Sequence, residues 1–266
     1  MNEIRAIIIN ELDKIDLNLK NLFSTENVIL EDLNNFICEK SKRIRSVLAL
    51  LYIKAENRQV TDDILKLLTA TELFHNASLL HDDVIDDSYI RRGKKTINSI
   101  YNSKIAILCG DFLISQAVKI LQEIQKENIT NSFLNTAKLM AKAEMEQYLN
   151  RNKLIPLETY LNIVEGKTAA LFSCMFECLG ILSNINSQNA IMFAKKFGIV
   201  FQINNDLKKE SSKNAKVNGL CTIEKILGIE KTNILKDNYK QEMRDLLAYL
   251  PENKYKLNLE ELVTGL

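Results

Sequence analysis

An acidic cluster of four aspartates, Asp82, Asp83, Asp86 and Asp87, occurs within six residues of the chain. On a helix, Asp82 and Asp86 are one turn apart and share a face, separated by about 6 Å along the axis. Two such carboxylates repel each other when ionised, and their charge opposes the dipole at a helix C-terminus. Mg²⁺ typically takes one or two carboxylates together with substrate phosphates. The spacing therefore favours a magnesium site over a solvated helix end.

A second metal chemistry is suggested by Glu72 and His75, which have the Glu-x-x-His spacing found in di-iron helix bundles. Those bundles need two such pairs. The chain has only 2 histidines, and the other one, His81, has no glutamate three residues before it. We therefore do not expect iron.

The charge balance excludes some partners. Lys and Arg number 35 against 34 Asp and Glu, a net charge of +1, which gives no reason to expect nucleic acid. No apolar run approaches the length of a membrane span, and the acidic N-terminus lacks a small-residue cleavage site. The 5 cysteines lack a scaffold-like spacing. Reduced thiols and a cytoplasmic location are therefore expected, with Cys174 and Cys178 as core residues.

The elements that position these residues are predicted to be helices. Apolar residues make up 46% of the chain, and only 8 Gly and 2 Pro interrupt it, which argues against an all-β fold. Apolar positions repeat at helical spacing almost throughout, without clear alternating strands. We predict one all-α domain over residues 1–266, a bundle of about ten or more helices. The predicted helices cover about 1–22, 30–37, 42–57, 103–125, 129–150, 157–183, 187–208, 220–248 and 258–263, and a further helix is predicted to begin at Thr61-Asp62-Asp63 and to end within Leu79–Asp87.

Several segments together resemble, in order, the motifs of the trans-isoprenyl diphosphate synthases, or polyprenyl synthetases, of medium- and long-chain type. The resemblance spans about residues 40 to 225. The first aspartate-rich motif and its Arg-Arg-Gly are the most specific part. The matching segments are Ser41–Arg45, His75–Asp87 with Arg91–Gly93, Gly110–Leu113, Gly166–Ala169 and Phe197–Asp206.

The resemblance implies an isoprenoid synthase fold with both aspartate-rich segments facing a central cavity. It implies a Mg²⁺-dependent, head-to-tail condensation of an allylic diphosphate, such as farnesyl diphosphate, with isopentenyl diphosphate. The product would be a polyprenyl diphosphate, a precursor of quinone side chains. A homodimer is expected on the same ground.

The resemblance also implies residue roles. Catalytic roles fall to Asp82, Asp83, Asp86 and Lys167, and metal-binding roles to Asp82, Asp86, Asn205 and Asp206. The allylic diphosphate would contact Arg91, Lys167, Thr168 and Gln202, with Phe201 and Gln202 near the developing cation. Isopentenyl diphosphate would contact Lys42, Arg45, His75 and Arg92.

The second motif departs from the usual Asp-Asp-x-x-Asp of the family. It has Asn205, Asp206 and Lys209 at the three acidic positions, with Lys208 before the last. Three consequences are open: lysines replace part of the metal charge, metal binding is weaker, or the chain is a weakly catalytic or non-catalytic subunit of a heteromeric synthase. Ser41 and Lys95 also replace a usual Gly and Pro, but neither change removes a diphosphate ligand.

Ala77 and Ser78, five and four residues before Asp82, are the residues expected to affect the length of the product. No two-residue insertion splits the first motif. Small side chains at these positions leave the cavity open to a growing chain, whereas a bulky aromatic would block it. We expect a product of roughly six to nine isoprene units on this packing argument.

A terpene cyclase or diphosphate lyase is a further alternative, since such enzymes also use an aspartate-rich motif. The complete isopentenyl diphosphate set argues against it, because a cyclase has no second diphosphate to bind.

Overall fold

The computed structural model describes residues 2–23, 27–38, 41–211 and 219–266. Within these ranges the chain is almost entirely helical, which confirms the predicted all-α class. The side chain of Lys209, one of the departures from the family pattern, lies outside the described residues.

The helices follow the predicted periodicity closely. A π-helical turn, Glu165–Ala169, joins α9 to α10. The helices are α1 Asn2–Ala6, α2 Ile9–Lys20, α3 Val28–Cys38, α4 Ile44–Ala55, α5 Asp62–Ile85, α6 Ile97–Ile100, α7 Ser103–Glu123, α8 Glu127–Leu149, α9 Leu157–Val164, α10 Ala170–Ser183, α11 Ser187–Ser211, α12 Ile223–Leu227, α13 Ile229–Leu247 and α14 Lys254–Thr264.

Several details of the helix prediction were wrong. The segment predicted as one helix over 1–22 forms two, Asn2–Ala6 and Ile9–Lys20, and the short helix Ile97–Ile100 was not predicted. The predicted helix over 220–248 is divided at Gly228, whose φ of 77° is outside the helical region. Strands were not expected, yet β1 Ile90–Arg91 and β2 Lys94–Lys95 form an antiparallel hairpin. This hairpin is too short to show alternation in the sequence.

The contacts divide the chain into two compact units. Unit 1 comprises Met1–Leu50 and Val60–Thr130, and unit 2 comprises Leu51–Gln59 and Asn131–Leu266. The expectation of one domain with a central cavity stays a prediction.

Unit 1 is built on the pairing of α5 with α7. Thr61 caps α5 by accepting a hydrogen bond from the Ile64 amide at 3.4 Å. By length and composition α7 is apolar enough to cross a membrane. It carries a buried stripe at helical spacing and packs along α5, as the core helix of a globular unit does. The stripe is Ala106, Cys109, Gly110, Leu113 and Ala117.

Unit 2 has an aromatic core that links α4, α10 and α11. The Tyr52 ring lies 5.2 Å from Phe176 and 5.6 Å from Phe193, measured between centroids. Cys174 and Cys178 are buried within α10, which confirms their prediction as core residues.

Candidate active site

The acidic cluster lies at the end of α5, in unit 1. The Asp86 amide donates to the Asp82 carbonyl at 2.8 Å, so the last turn is helical and these two aspartates share a face, as predicted. Asp87 then takes a left-handed conformation (φ 49°), and the Ser88 amide donates back to the Asp83 carbonyl at 2.8 Å. This is a Schellman ending with aspartate where glycine is usual.

Asp83 has a different environment from Asp82 and Asp86. Its side chain is buried, and Arg91 donates to it from Nε at 2.9 Å and from Nη2 at 2.7 Å. Burial raises the pKa of the Asp83 carboxyl, and the Arg91 hydrogen bonds and charge oppose that shift. Asp83 therefore anchors Arg91, whereas Asp82 and Asp86 are partly accessible.

The Arg-Arg-Gly segment forms the turn of the hairpin. Arg92 and Gly93 have φ angles of 52° and 82°, as in the two-residue turns that match the twist of short hairpins. A Cβ on Gly93 would meet nothing within 4 Å, so the requirement for glycine is conformational rather than steric. Thr96 Oγ1 donates to the Ser88 carbonyl at 2.8 Å and ties the hairpin to the end of α5.

A cluster of cations surrounds His75 in unit 1. Burial lowers the pKa of His75 well below its usual range, and the charges of Arg45, Arg92, Arg91 and Arg43 lower it further, in that order. Burial also lowers the pKa of Arg45 to about 10, an effect that Glu72 opposes. The structure thus brings the predicted residues His75, Arg45 and Arg92 within electrostatic range of one another. A neutral imidazole among guanidinium groups is a suitable environment for a polyanion.

Hydrogen bonds to Glu72 stabilise the segment that carries Lys42 and Arg45. Glu72 is buried and accepts hydrogen bonds from Ser46 Oγ at 2.7 Å and Arg43 Nη1 at 3.4 Å. The Glu72 carboxylate therefore holds the Arg43 and Ser46 side chains in place rather than forming a metal-binding pair with His75. Sequence reasoning missed this interaction because nothing in the spacing of positions 43 and 72 indicates their contact.

Lys42 is exposed, and its carbonyl accepts a hydrogen bond from Arg5 Nη1 at 2.9 Å. Its ammonium group therefore extends from a segment whose backbone is fixed.

The pH dependence of stability should report the environment of His75. With a lowered pKa, the native state binds fewer protons than the unfolded chain below about pH 6.5, so the free energy of unfolding falls as the pH decreases. In His75→Gln this contribution is absent, and the decline of the free energy of unfolding between about pH 6.5 and 5 becomes shallower. Urea denaturation at several pH values measures this free energy. The control is Ser78→Ala on the same helix, which removes no titratable group, keeps His75 and should keep the wild-type slope. Equal slopes in wild type and His75→Gln would contradict the assignment.

The π-helical turn, Glu165–Ala169, is packed closely between two helices of unit 2. A Cβ on Gly166 would lie 2.7 Å from Ala143 Cβ in α8. A Cβ on Gly198 in α11 would lie 2.6 Å from Ala169 Cα. The glycines thus permit close approach on both sides of the turn, and π-helical insertions are frequent at functional sites.

Lys167, in this turn, is held by two side chains of α8. It forms an ion pair with Glu144, and its Nζ donates to Gln147 Oε1 at 2.8 Å. Glu144 and Gln147 are one turn apart, so both reach the same ammonium group. Neither Glu144 nor Gln147 was predicted from the sequence. Their Glu-x-x-Gln spacing on an amphipathic helix was the only available signal.

The second motif belongs to a polar chain of hydrogen bonds in unit 2. Thr168 Oγ1 donates to Gln202 Oε1 at 3.1 Å, and Gln202 Nε2 donates to Asp206 Oδ1 at 2.8 Å. Tyr160 Oη donates to Asp206 Oδ2 at 2.6 Å. Burial and the Asp206 charge raise the pKa of Tyr160, which keeps it a donor. All four of these side chains and Lys167 line one pocket.

The donor groups allow a test of magnesium. Within the described ranges, no three His, Cys, Asp or Glu side chains converge as a ready-made metal cage. Mg²⁺ does not require one, because one or two carboxylates plus substrate phosphates suffice. Asp82 and Asp86 fit that chemistry. Asn205 offers a neutral oxygen, and both oxygens of Asp206 accept hydrogen bonds. A metal role for the latter two stays a prediction.

The residues expected to affect product length differ in exposure. Ala77 is fully buried, whereas Ser78 is partly exposed and its Oγ donates to the His75 carbonyl at 2.8 Å. Phe201 is partly exposed in unit 2, and its ring centroid lies 6.1 Å from that of Phe172.

The chain matches a family model described as polyprenyl synthetase over residues 26–247. It is 33% identical over 214 residues to a prenyl transferase of Cyanophora paradoxa, covering 78% of this chain and 66% of the relative. It is 32% identical to the decaprenyl-diphosphate synthase of Dictyostelium discoideum, covering 78% of this chain and 46% of the relative. The aligned region thus spans about half to two thirds of these relatives' length.

A likeness in three dimensions accompanies these matches. The crystal structure of a decaprenyl diphosphate synthase from Rhodobacter capsulatus superposes with a TM-score of 0.90 at 23% identity, covering 99% of this chain and 97% of that one. At this identity the comparison establishes the shared all-α fold.

Proposed function

The chain belongs to the polyprenyl synthetase family, and from that premise we propose that it condenses an allylic diphosphate with isopentenyl diphosphate, head to tail, to give a polyprenyl diphosphate. The observation that carries this proposal is in unit 1. There, an acidic helical turn bearing Asp82 and Asp86 adjoins the Arg91–Gly93 hairpin, whose arginines belong to the cation cluster around His75. Metal-binding carboxylates beside a cationic cluster suit diphosphate chemistry.

The proposed first step is departure of pyrophosphate from the allylic substrate. Asp82 and Asp86 would hold Mg²⁺, which when bound would supply neutralising positive charge to that leaving group. In unit 2, Lys167 is proposed to supply a positive charge to a diphosphate, and Thr168 and Gln202 are proposed to supply polar contacts. Arg91, oriented by Asp83, contributes a guanidinium group. These groups stabilise the charge that develops as the carbon–oxygen bond breaks.

The second substrate is proposed to bind at the cluster around His75. Arg45, Arg92 and Lys42 would bind its diphosphate, and His75 would donate as a neutral imidazole. The isopentenyl double bond then attacks the allylic cation, a proton leaves the new cation, and released pyrophosphate is the proposed base. Phe201 and Gln202 are proposed to face the cationic carbon. Because each diphosphate has its own set of binding residues, the two substrates are proposed to be held in the orientation that the reaction needs.

We propose a medium- or long-chain product of roughly six to nine isoprene units, because Ala77 and Ser78 are small. Ser78→Phe is expected to shorten the product, since its partly exposed position allows an aromatic ring to enter the path of the chain. Sizing of the dephosphorylated products by chromatography measures this effect. Ala77→Phe should shorten the product as well, but at a stability cost of about 1–3 kcal/mol, because Ala77 is fully buried. A Ser78→Phe product of wild-type length would remove Ser78 from the cavity wall.

We propose that the protein acts as a cytoplasmic homodimer that supplies a quinone side-chain precursor. The 5 cysteines are free thiols, consistent with a reducing compartment. Exposed apolar side chains support association between copies. In unit 1 they include Ile107 and Leu108 on α7. In unit 2, Tyr148 and Leu149 on α8 are exposed.

A second candidate function is favoured by Asn205 and Lys209, which stand at two of the three positions where the family motif usually supplies a negative charge, with Lys208 adding a further positive charge. The chain would then be a weakly catalytic or non-catalytic subunit of a heteromeric synthase. Asn205 and Asp206 are metal ligands in the first proposal, with Asn205 providing a neutral oxygen. In the second, the motif serves chiefly as a structural element.

One assay separates the two proposals. The purified chain is incubated with farnesyl diphosphate, labelled isopentenyl diphosphate and Mg²⁺, and the products are dephosphorylated and sized. A ladder that ends in one long prenol is expected of a self-sufficient synthase. A folded chain that binds a non-hydrolysable diphosphate analogue but incorporates no label would instead support the subunit function.

A further inference from the structure

His81, the residue before Asp82, packs directly against α7. Its Nε2 atom lies 3.3 Å from the Ile107 carbonyl oxygen and 3.4 Å from Asp111 Oδ1. The ring occupies the space in which a side chain at position 110 would lie. A Cβ built on Gly110 would be 2.2 Å from His81 Nε2 and 2.5 Å from its Cδ2.

Gly110 is placed in the interior of α7, where glycine is unfavourable by about 1 kcal/mol relative to alanine. Its backbone does not have a positive φ, so conformation does not require glycine there. The same buried stripe accommodates Ala106 and Ala117 elsewhere along the helix. Contact with the His81 ring is therefore the physical reason for glycine at this level.

From this geometry we propose that Gly110 and His81 are positioning residues for the metal-binding turn. The ring of His81 lies in the notch left by Gly110, and the contacts to Ile107 and Asp111 fix it there. Because His81 immediately precedes Asp82, the position of the His81 ring on α7 determines where the Asp82 and Asp86 carboxylates lie. The inference rests on the proposed function, since it assigns those carboxylates to the metal.

Substitution at Gly110 makes the notch testable. The added methyl group of Gly110→Ala must move the ring by more than 1 Å to reach ordinary contact distance, given the 2.2 Å separation. A displacement of about 1 Å at a catalytic site costs up to about a hundredfold in rate. Because the His81 ring, and not a metal-binding carboxylate, is the group displaced directly, we expect a smaller loss, about tenfold both in kcat and in affinity for Mn²⁺ measured by electron paramagnetic resonance with inorganic pyrophosphate present.

A double-substitution cycle with His81→Ala tests the mechanism. Without the ring, the methyl group has space, so Gly110→Ala should change Mn²⁺ affinity by less than about threefold in the His81→Ala background. Gly265→Ala is the matched control, because its Cβ would meet no atom closer than 3.4 Å. It should leave Mn²⁺ affinity and kcat at the wild-type values. Circular dichroism checks that each variant is folded. If Gly110→Ala alone does not fold, recovery of folding and of Mn²⁺ binding in the double variant supports the inference, and a double variant that also fails to fold contradicts it.

Two results would overturn the inference: unchanged Mn²⁺ affinity in folded Gly110→Ala, or an equal loss from Gly110→Ala with and without His81. Failure of the proposed function gives a different pattern. In that case wild type forms no prenyl product, yet Mn²⁺ binding that Asp82→Asn abolishes still reports the position of the turn.

Discussion

Asp82→Asn is expected to lower turnover by about a thousandfold or more while the protein stays folded. The substitution keeps the shape of the side chain but removes the charge that would hold Mg²⁺ against the departing pyrophosphate. Asp82 is partly accessible at the end of α5, so its loss disturbs little packing. Single-turnover assays with saturating substrates and Mg²⁺ measure the chemical step, and thermal unfolding measures the fold.

Asp87→Asn is the matched control, since it removes one charge from the same cluster. Asp87 is exposed, and asparagine tolerates its left-handed backbone conformation. Its turnover should stay within about threefold of wild type, because Asp87 is outside the face shared by Asp82 and Asp86. Near-normal turnover in Asp82→Asn, or equal losses in the two variants, would contradict the site assignment.

Helix positions and the pairing of Asp82 with Asp86 were predictable because both follow from the period of an α-helix. Local periodicity needs no knowledge of tertiary contacts. The end of α5 was harder to predict in detail, because its left-handed residue is Asp87 rather than glycine. The Arg92–Gly93 turn likewise belongs to a hairpin with only two residues in each strand, too short for an alternating pattern.

Contacts between side chains of different elements could not be predicted from the sequence. Asp83 and Arg91 were both expected to act on substrate, yet the structure pairs them directly. Their closeness in the chain gave no indication that Asp83 would be buried and Arg91 oriented by it. Glu144 was missed for a related reason, since α8 precedes the π-helical turn by many residues. In each case the missing information was the face that a helix presents to its neighbour.

Lys167→Met is expected to reduce kcat/KM for the allylic substrate by about a hundredfold, because it removes a positive charge proposed to stabilise the leaving diphosphate. It also leaves Glu144 without its lysine at a mostly buried position, which should lower stability by about 1–3 kcal/mol. Steady-state kinetics with varied allylic diphosphate and urea denaturation measure the two effects.

The double variant Lys167→Met/Glu144→Gln separates binding from packing. Removing the carboxylate charge should recover most of the lost stability, whereas the lost kcat/KM should not return, since no cation has been restored. Lys195→Met is the matched control: its ammonium pairs with Glu165 at 2.8 Å on a more exposed surface, and its loss should have little effect on either measurement. Recovery of activity together with stability in the double variant would mean that Lys167 acts through the fold of the turn. Persistent inactivity in a stable protein would instead assign its ammonium group to the substrate.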